Sequence, residues 1–318
     1  MSSKFGQVLT IYTMATDSKY LVFGGKTGWV GQKLIALLQS NGSTVVAANS
    51  RLEHSQDVAK ELDEYRPTHV LNAAGLTGRP NVDWCETHKE ETTRVNVIGT
   101  LSLIDLCAQR NIHITNFATG CIYHYDALNH QEGDGHGFTE EDVPNFAGSF
   151  YSKTKTVVED VIVSTGYTHV LQLRLRMPIS DDLHHRSLVT KITKYEKVVN
   201  IPNSMTVLYD MLPIAVALAG AKITGVHNFT NPGAISHNEI LTMYRDLVRP
   251  DFTWKNFTLE EHDKVVVAKR SNNELDSSKL ALACKQVGTE LLEIHEAVRG
   301  MFERMAAAEK GEEGEEKE

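Results

Sequence analysis

Three glycines follow a short apolar run near the start of the chain, and their spacing restricts the fold more than any other feature. Tyr20–Phe23 is apolar, and Gly25-Lys26-Thr27-Gly28-Trp29-Val30-Gly31 follows it as G-x-x-G-x-x-G. Apolar residues then recur at positions 30, 34, 37 and 38, a helical spacing that stops at Gly42. A strand that turns through glycine into a helix presents backbone N–H groups at the helix N-terminus, where partial positive charge collects. That arrangement suits a pyrophosphate. A glycine-rich turn alone says little, but with a strand before it and a helix after it the reading is dinucleotide binding at Gly25–Gly31.

The alternation continues. Thr44–Ala48 reads as a strand, Ser55–Tyr65 as a helix, Thr68–Asn72 as a strand and Glu86–Arg110 as a long helix. Ile112–Ala118, Phe150–Ser164 and His169–Leu175 add a strand, a helix and a strand. Repeated βαβ units imply a parallel sheet covered by helices on both faces. After Pro178 the order is less regular, with helices predicted at Leu188–Val199, His237–Leu247 and Thr289–Met305. The expected fold class is therefore α/β: a Rossmann-type doubly wound parallel sheet with a smaller C-terminal substrate lobe. The expected division is a flexible extension at 1–18, a nucleotide-binding domain at 19–176 to which some later segments return, a substrate lobe at 177–305 and an acidic disordered tail at 306–318.

A chain of 318 residues with 41% apolar composition can bury a large core. Its net charge is −9, and six Glu against two Lys in Glu309–Glu318 supply −4 of that. No Lys/Arg cluster builds a basic face, so nucleic acid is not an expected partner. No apolar run reaches the roughly 20 residues that span a bilayer, so no membrane association is expected. Cys85, Cys107, Cys121 and Cys284 show no C-x-x-C spacing. Reduced thiols in a cytoplasmic protein without a structural metal are the simplest reading.

The end of the second strand bears on the cofactor. NAD sites place an acid there for the ribose hydroxyls, but Ala47-Ala48-Asn49-Ser50-Arg51 has none. Arg51 suits a 2′-phosphate, so NADPH is favoured over NADH. Asn72-Ala73-Ala74-Gly75 closes the third strand with small residues that leave room for the adenosine half.

Tyr151 and Lys155 form Y-x-x-x-K, and of ten tyrosines only Tyr151 has lysine at +4. Four residues apart, the two share a helix face. The expectation is that the ammonium lowers the phenol pKa toward the working range and also holds the nicotinamide ribose. Thr119, at the end of the preceding strand, would bind the same carbonyl oxygen as Tyr151. Asn96 in the long helix is a candidate for a water relay behind the lysine.

Together these segments resemble an extended short-chain dehydrogenase/reductase. Lys26–Gly31, Thr77–Glu86, Ala118–Tyr123, Gly148–Lys155, Arg176–Ser180 and Tyr195–Met205 are more specific. They resemble the bifunctional nucleotide-rhamnose synthases, the 3,5-epimerase/4-reductases that plants carry alone or fused behind a 4,6-dehydratase. Asn228–Tyr244 and Arg270–Leu280 continue the likeness, which covers roughly Tyr20 to Leu280.

The resemblance implies an NADPH-dependent enzyme that inverts C3 and C5 of a UDP- or dTDP-4-keto-6-deoxyglucose and then reduces C4. It implies that Cys121 and Lys191 move the protons at C3 and C5; the similar GDP-fucose synthases also have cysteine at the Cys121 position. Pro178 joins the cofactor site by the same likeness. Arg79, Asn203 and Arg270 are candidates for the nucleotide diphosphate. The segment Leu183–Ser187 departs from the longer plant version. A nucleotide sugar is the expected ligand, a homodimer is the assembly allowed for, and a UDP-glucose 4,6-dehydratase is the functional neighbour. Two other readings stand beside this one: a 4-keto-rhamnose reductase without epimerase activity, and a non-catalytic NADP-binding regulatory subunit.

Overall fold

The computed structural model describes residues 18–79, 81–125, 137–258, 260–261, 264 and 267–315. The expected extension, apart from its last residue, lies outside them. The strands are β1 (Lys19–Phe23), β2 (Thr44–Ala47), β3 (His69–Asn72), β4 (His113–Thr119), β5 (Val170–Leu175), β6 (Lys197–Val198), β7 (Gly225–Asn228) and β8 (Lys255–Asn256). Six of them form one sheet in the order β2-β1-β3-β4-β5-β7, and every neighbouring pair is parallel.

The inner strands β1, β3, β4 and β5 are buried along almost their whole length, as strands covered on both faces are, while the edge strand β2 is not. Alternate side chains still go to opposite faces. Tyr20 and Val22 join Leu34 and Leu38 of α1 (Trp29–Ser40) on one face. Leu21 and Phe23 join Val58 and Leu62 of α2 (Ser55–Tyr65) on the other. Each such fully buried side chain is worth about 1.5–3 kcal/mol relative to exposure.

The helix read over Glu86–Arg110 is broken into α3 (Trp84–Thr87), α4 (Lys89–Thr93), a π-helical turn (Arg94–Gly99) and α5 (Thr100–Ala108). His88 separates the first two and stacks on Trp84 at 3.8 Å. The π turn carries the buried Asn96. Such turns recur at functional sites because one extra residue re-aims the face that follows.

α6 (Phe150–Thr165) precedes β5. Beyond β5, Leu188–Val199 is not one helix: α7 (Leu188–Ile192) stops, and Lys197–Val198 is strand β6, paired with β8. α8 (Leu208–Gly220) then returns to the first face of the large sheet. α9 (His237–Leu247) opens on a capping box between Ser236 and Glu239. α10 (Ser278–Gln286) also packs on the first face, through Leu280, Ala283 and Cys284.

α11 spans Ile294–Glu315, so the stretch read as a disordered tail is helical through Glu315. Ala306-Ala307-Ala308 are strong helix formers, and Arg249 reaches Glu309 at 2.8 Å. A separate apolar cluster joins α7, α9 and α11 through Val189, Ile240, Leu241, Val298 and Phe302.

Chain order reverses between β1 and β3. In open parallel sheets, ligands bind outside the carboxyl ends of the strands at such a reversal. Gly24–Gly31, Asn72–Gly75, Thr119–Cys121 and Arg176 all follow carboxyl ends of strands of this sheet.

Candidate active site

The turn after β1 is built around Gly24, one residue before the G-x-x-G-x-x-G run. Its φ is +78°, in the left-handed region that glycine enters without strain. A Cβ there would lie 2.8 Å from the Ala73 carbonyl. A Cβ on Gly31 would lie 2.4 Å from the Gly24 carbonyl oxygen. The loop, helix and β3 end therefore touch backbone to backbone. Gly28 is the N-cap of α1, and no side chain caps that helix. Its first-turn amides remain for an anion, and the cradle fits a dinucleotide pyrophosphate. Thr27 and Val30 sit on the same turn and first helical turn.

Beside it, the Lys26 ammonium donates to the Asn49 side-chain carbonyl. No acid adjoins the end of β2 in sequence, yet the fold brings one in from α2. The Glu61 carboxylate accepts from the Asn49 amide at 2.6 Å and the Ser50 amide at 2.8 Å. Burial raises its pKa, but the Ser50 hydroxyl, which also donates to it, and then these two amides hold it below the usual carboxylate range. Arg51 projects into solvent with its side chain 69% exposed, only its Nε being tied to Glu53. Among the described residues, nothing binds the two remaining guanidinium nitrogens, which leaves them for a phosphate.

Trp29 does not lie open to the cleft. It is buried, its indole N–H donates to Asp182 at 2.8 Å, and its ring stacks on His184 at 5.0 Å. Lys33 also holds Asp182, at 2.8 Å. The 181–186 loop is thus fastened over the N-terminal end of α1. Pro178 starts the path to that loop; the preceding Met177 has φ +38° and turns the chain out of the sheet.

Asn72 is occupied inside the protein. It donates to Asn116 at 2.8 Å and accepts from the Ala74 amide at 3.2 Å, while Asn116 donates to Gln172 at 2.7 Å. The amide row crosses β3, β4 and β5 in register. Asn96 accepts from the Leu76 amide at 2.7 Å and donates to the Leu76 carbonyl at 2.8 Å. Its carboxamide clamps the loop after β3. A Cβ on Gly75 would meet the Asn96 oxygen at 3.4 Å and Lys155 Nζ at 3.6 Å, so all three adjoin.

Ser149 caps α6 by accepting from the Ser152 amide. The Ser152 hydroxyl donates to the Cys121 carbonyl at 2.6 Å. The Thr119 hydroxyl oxygen accepts from the Cys121 amide at 3.1 Å and also bonds the Tyr151 phenol. Thr119, Cys121 and Tyr151 are thus gathered at the end of β4. Lys155 Nζ lies 5.8 Å from the centre of the Tyr151 ring.

The electrostatics differ from the expectation. Burial pushes the Tyr151 phenol above its ordinary value; the Cys121 and Cys85 sulfurs push it further, and the Thr119 bond opposes them. Lys155 does not bring it down. Burial instead pulls the Lys155 ammonium down to about 8, with Cys85 opposing. Desolvation outweighs charge attraction here. The tyrosine is a neutral phenol at pH 7, which suits a proton donor.

Lys191 stands on α7. Burial, and then Arg186, lower its pKa. Arg186 is itself lowered by burial and by Arg79. Among the described residues, none of these three side chains makes a hydrogen bond or ion pair. Two other expected ligands of the diphosphate are engaged elsewhere. Asn203 is buried, its carbonyl accepting from Arg176 and from the Asn273 amide, its NH2 donating to Ile201 O and Asn272. Arg270 forks onto Asp83 at 2.7 and 3.1 Å. Sequence reasoning missed Arg176, which reaches Cys121, because nothing local in Arg176-Met177-Pro178 marks it as a site residue.

Comparison with known proteins gives a consistent result. Residues 19–199 match the model of the RmlD substrate binding domain. The chain is 54% identical over 291 residues to a bifunctional dTDP-4-dehydrorhamnose 3,5-epimerase/dTDP-4-dehydrorhamnose reductase of Arabidopsis thaliana, covering 91% of this chain and 94% of that one. It is 54% identical over 281 residues to an Arabidopsis thaliana protein described as a trifunctional UDP-glucose 4,6-dehydratase/UDP-4-keto-6-deoxy-D-glucose 3,5-epimerase/UDP-4-keto-L-rhamnose-reductase, covering 88% of this chain but 41% of that one. Among solved structures, the UDP-rhamnose synthase from Acanthamoeba polyphaga mimivirus superposes with a TM-score of 0.84 at 38% identity, covering 90% of this chain and 99% of that one.

Proposed function

The chain belongs to the family of nucleotide-sugar 3,5-epimerase/4-reductases, and from that premise we propose that it converts UDP- or dTDP-4-keto-6-deoxyglucose to the β-L-rhamnose nucleotide. The observation that carries this reading is the gathering of Thr119, Cys121 and Tyr151 at one strand end beside the dinucleotide cleft.

Protons at C3 and C5 adjoin a ketone, so each leaves as an enolate forms. Inversion needs a base on one face of the sugar and an acid on the other. Cys121 and Lys191 take these roles, and the lowered pKa of Lys191 suits proton exchange. Thr119 and Tyr151 hydrogen-bond the C4 oxygen and stabilise the enolate. Tyr151, held protonated by burial, then donates its proton to that oxygen in the reduction.

The cofactor is a nicotinamide dinucleotide, with NADPH as the preferred form. Its pyrophosphate fits the Gly24–Gly31 turn, Arg51 takes the 2′-phosphate, and Lys155 holds the nicotinamide ribose. When bound, the reduced nicotinamide supplies the hydride for C4. Arg79, with the Arg186 it adjoins, faces the substrate diphosphate. A 4,6-dehydratase supplies the ketosugar, and a cytoplasmic homodimer belongs to the same reading. No described helix is long and apolar enough to cross a membrane.

The test is product analysis by NMR after adding NADPH and UDP-4-keto-6-deoxyglucose, repeated in deuterated water. We expect a rhamnose nucleotide with deuterium at C3 and C5. Cys121→Ser should keep cofactor binding and lose rhamnose formation. Rhamnose formed by that variant at the parent rate would refute the epimerase assignment. Reduction without exchange would leave a plain reductase.

A further inference from the structure

Leu183, the one apolar residue of segment 181–186, is 53% exposed and so does not anchor it. Its φ is +51°, a left-handed turn that leucine keeps only where its surroundings hold it. Polar contacts do the holding. One Asp182 carboxylate oxygen accepts from the Trp29 indole N–H and meets the Lys33 ammonium, each at 2.8 Å. The Trp29 and His184 rings stack with their planes 4° apart. On the other side Asp181 accepts from Arg304 of α11 at 2.7 Å. Trp29 is the first residue of α1, directly after the Gly28 N-cap, so the anchor is the turn that fits the pyrophosphate.

From Asp182 a chain of bonds runs to Lys191. Its other carboxylate oxygen accepts from the His184 amide at 3.2 Å. His184 Nδ1 accepts from the Arg186 amide at 3.2 Å, and the His184 carbonyl from the Ser187 amide at 2.8 Å. The Ser187 carbonyl accepts from the Lys191 amide at 3.2 Å. α7 is five residues long, too short to set its own orientation. Val189 and Ile192 seat it on the cluster it shares with α9 and α11, and the bonded chain fixes its N-terminal end against α1. Arg186 lies on this chain, near enough to Lys191 and Arg79 for their charges to repel.

We propose that Asp182 is a positioning residue, which sets Arg186 and Lys191 against the dinucleotide turn and so places the ketosugar relative to the cofactor. This rests on reading Lys191 as a proton-transfer residue and Arg186 as a diphosphate contact. Asp182 acts through the loop. Thr119, Tyr151 and Lys155 stand on β4 and α6, outside the bonded chain, so the reduction machinery is held separately. The alternative is that the clasp contributes to stability alone.

Steady-state kinetics separates placement from folding. In Asp182→Ala we expect KM for UDP-4-keto-6-deoxyglucose to rise, and deuterium exchange at C3 and C5 to slow, each by about tenfold or more. NADPH affinity, and kcat for reducing the already inverted 4-ketorhamnose nucleotide, should stay within about threefold of the parent. Asp182→Asn can still accept from Trp29 and should recover part of the loss, since the half-exposed Lys33 pair adds little. The double variant Trp29→Phe/Lys33→Met removes both partners on α1 and should reproduce the loss with the loop sequence intact. A folded Asp182→Ala with parent KM and exchange rate, and only a lower melting temperature, overturns the proposal. So does an equal fall in kcat for the reduction. If Asp182→Ala does not fold, the double variant decides on the same readouts. Exchange at the parent rate in Lys191→Met would sink the reading of Lys191 instead, whatever the clasp variants return.

Discussion

The Ser152 hydroxyl donates to the Cys121 carbonyl at 2.6 Å, so the first turn of α6 is bonded to the residue that ends the β4 turn. This bond sets the phenol of Tyr151 and the thiol of Cys121 on one wall. It joins residues 31 apart in sequence and is partly buried.

Ser152→Ala should therefore loosen the site as well as the fold. The Cys121 carbonyl would be left without this donor, at a cost of about 1–3 kcal/mol. Urea denaturation should show a lower midpoint with an unchanged slope. Product formation should fall more than NADPH binding does. A midpoint equal to the parent's would mean that the bond contributes nothing.

Tyr151→Phe removes the proton donor and keeps the ring. Oxidation of NADPH by the ketosugar should fall by about 10²–10⁴-fold. NADPH binding, followed by fluorescence, should persist. Reduction at more than a tenth of the parent rate would assign the proton to another group.

Arg51→Ala removes an exposed side chain, so stability should change by less than about 0.5 kcal/mol. The ratio of kcat/KM with NADPH to that with NADH should drop about tenfold or more, because a guanidinium–phosphate contact is lost. An unchanged ratio would place the 2′-phosphate elsewhere.

His69 links pH to stability. Buried against Tyr20 and next to His113, its pKa is pulled down to about 4, first by burial and then by His113. The ordinary value is 6.5. Between these values the unfolded chain binds the proton and the folded protein does not, so stability falls as pH drops from about 6.5 to about 4. The neutral ring contributes on the order of 2–3 kcal/mol that is present above 6.5 and lost across that window. His69→Phe should flatten the profile there. Identical slopes in both proteins would exclude His69 as the source.

Legibility in the sequence followed how local each signal is. The strand, glycine turn and helix at 20–40 were readable because tight spacing dictates backbone geometry. α8 was not, because it is buried on nearly all sides, carries Pro213 and shows no 3.6-residue apolar stripe. The break at His88 and the π turn were hidden because helical periodicity runs through both. The tail was read from its charge, whereas alanines and Arg249 carry the helix on.

By itself the sequence determined the parallel βαβ frame, the dinucleotide turn and the phenol–ammonium pair, since each is written in residues within a few positions of one another. Only the tertiary structure decided that Arg176 meets Cys121 across 55 residues, that Asp83 claims Arg270 across 187, and that Asn203 is spent inside the protein. It also reversed the expected pull on Tyr151. Burial and long-range pairing depend on what the whole chain brings together, and no local spacing records them.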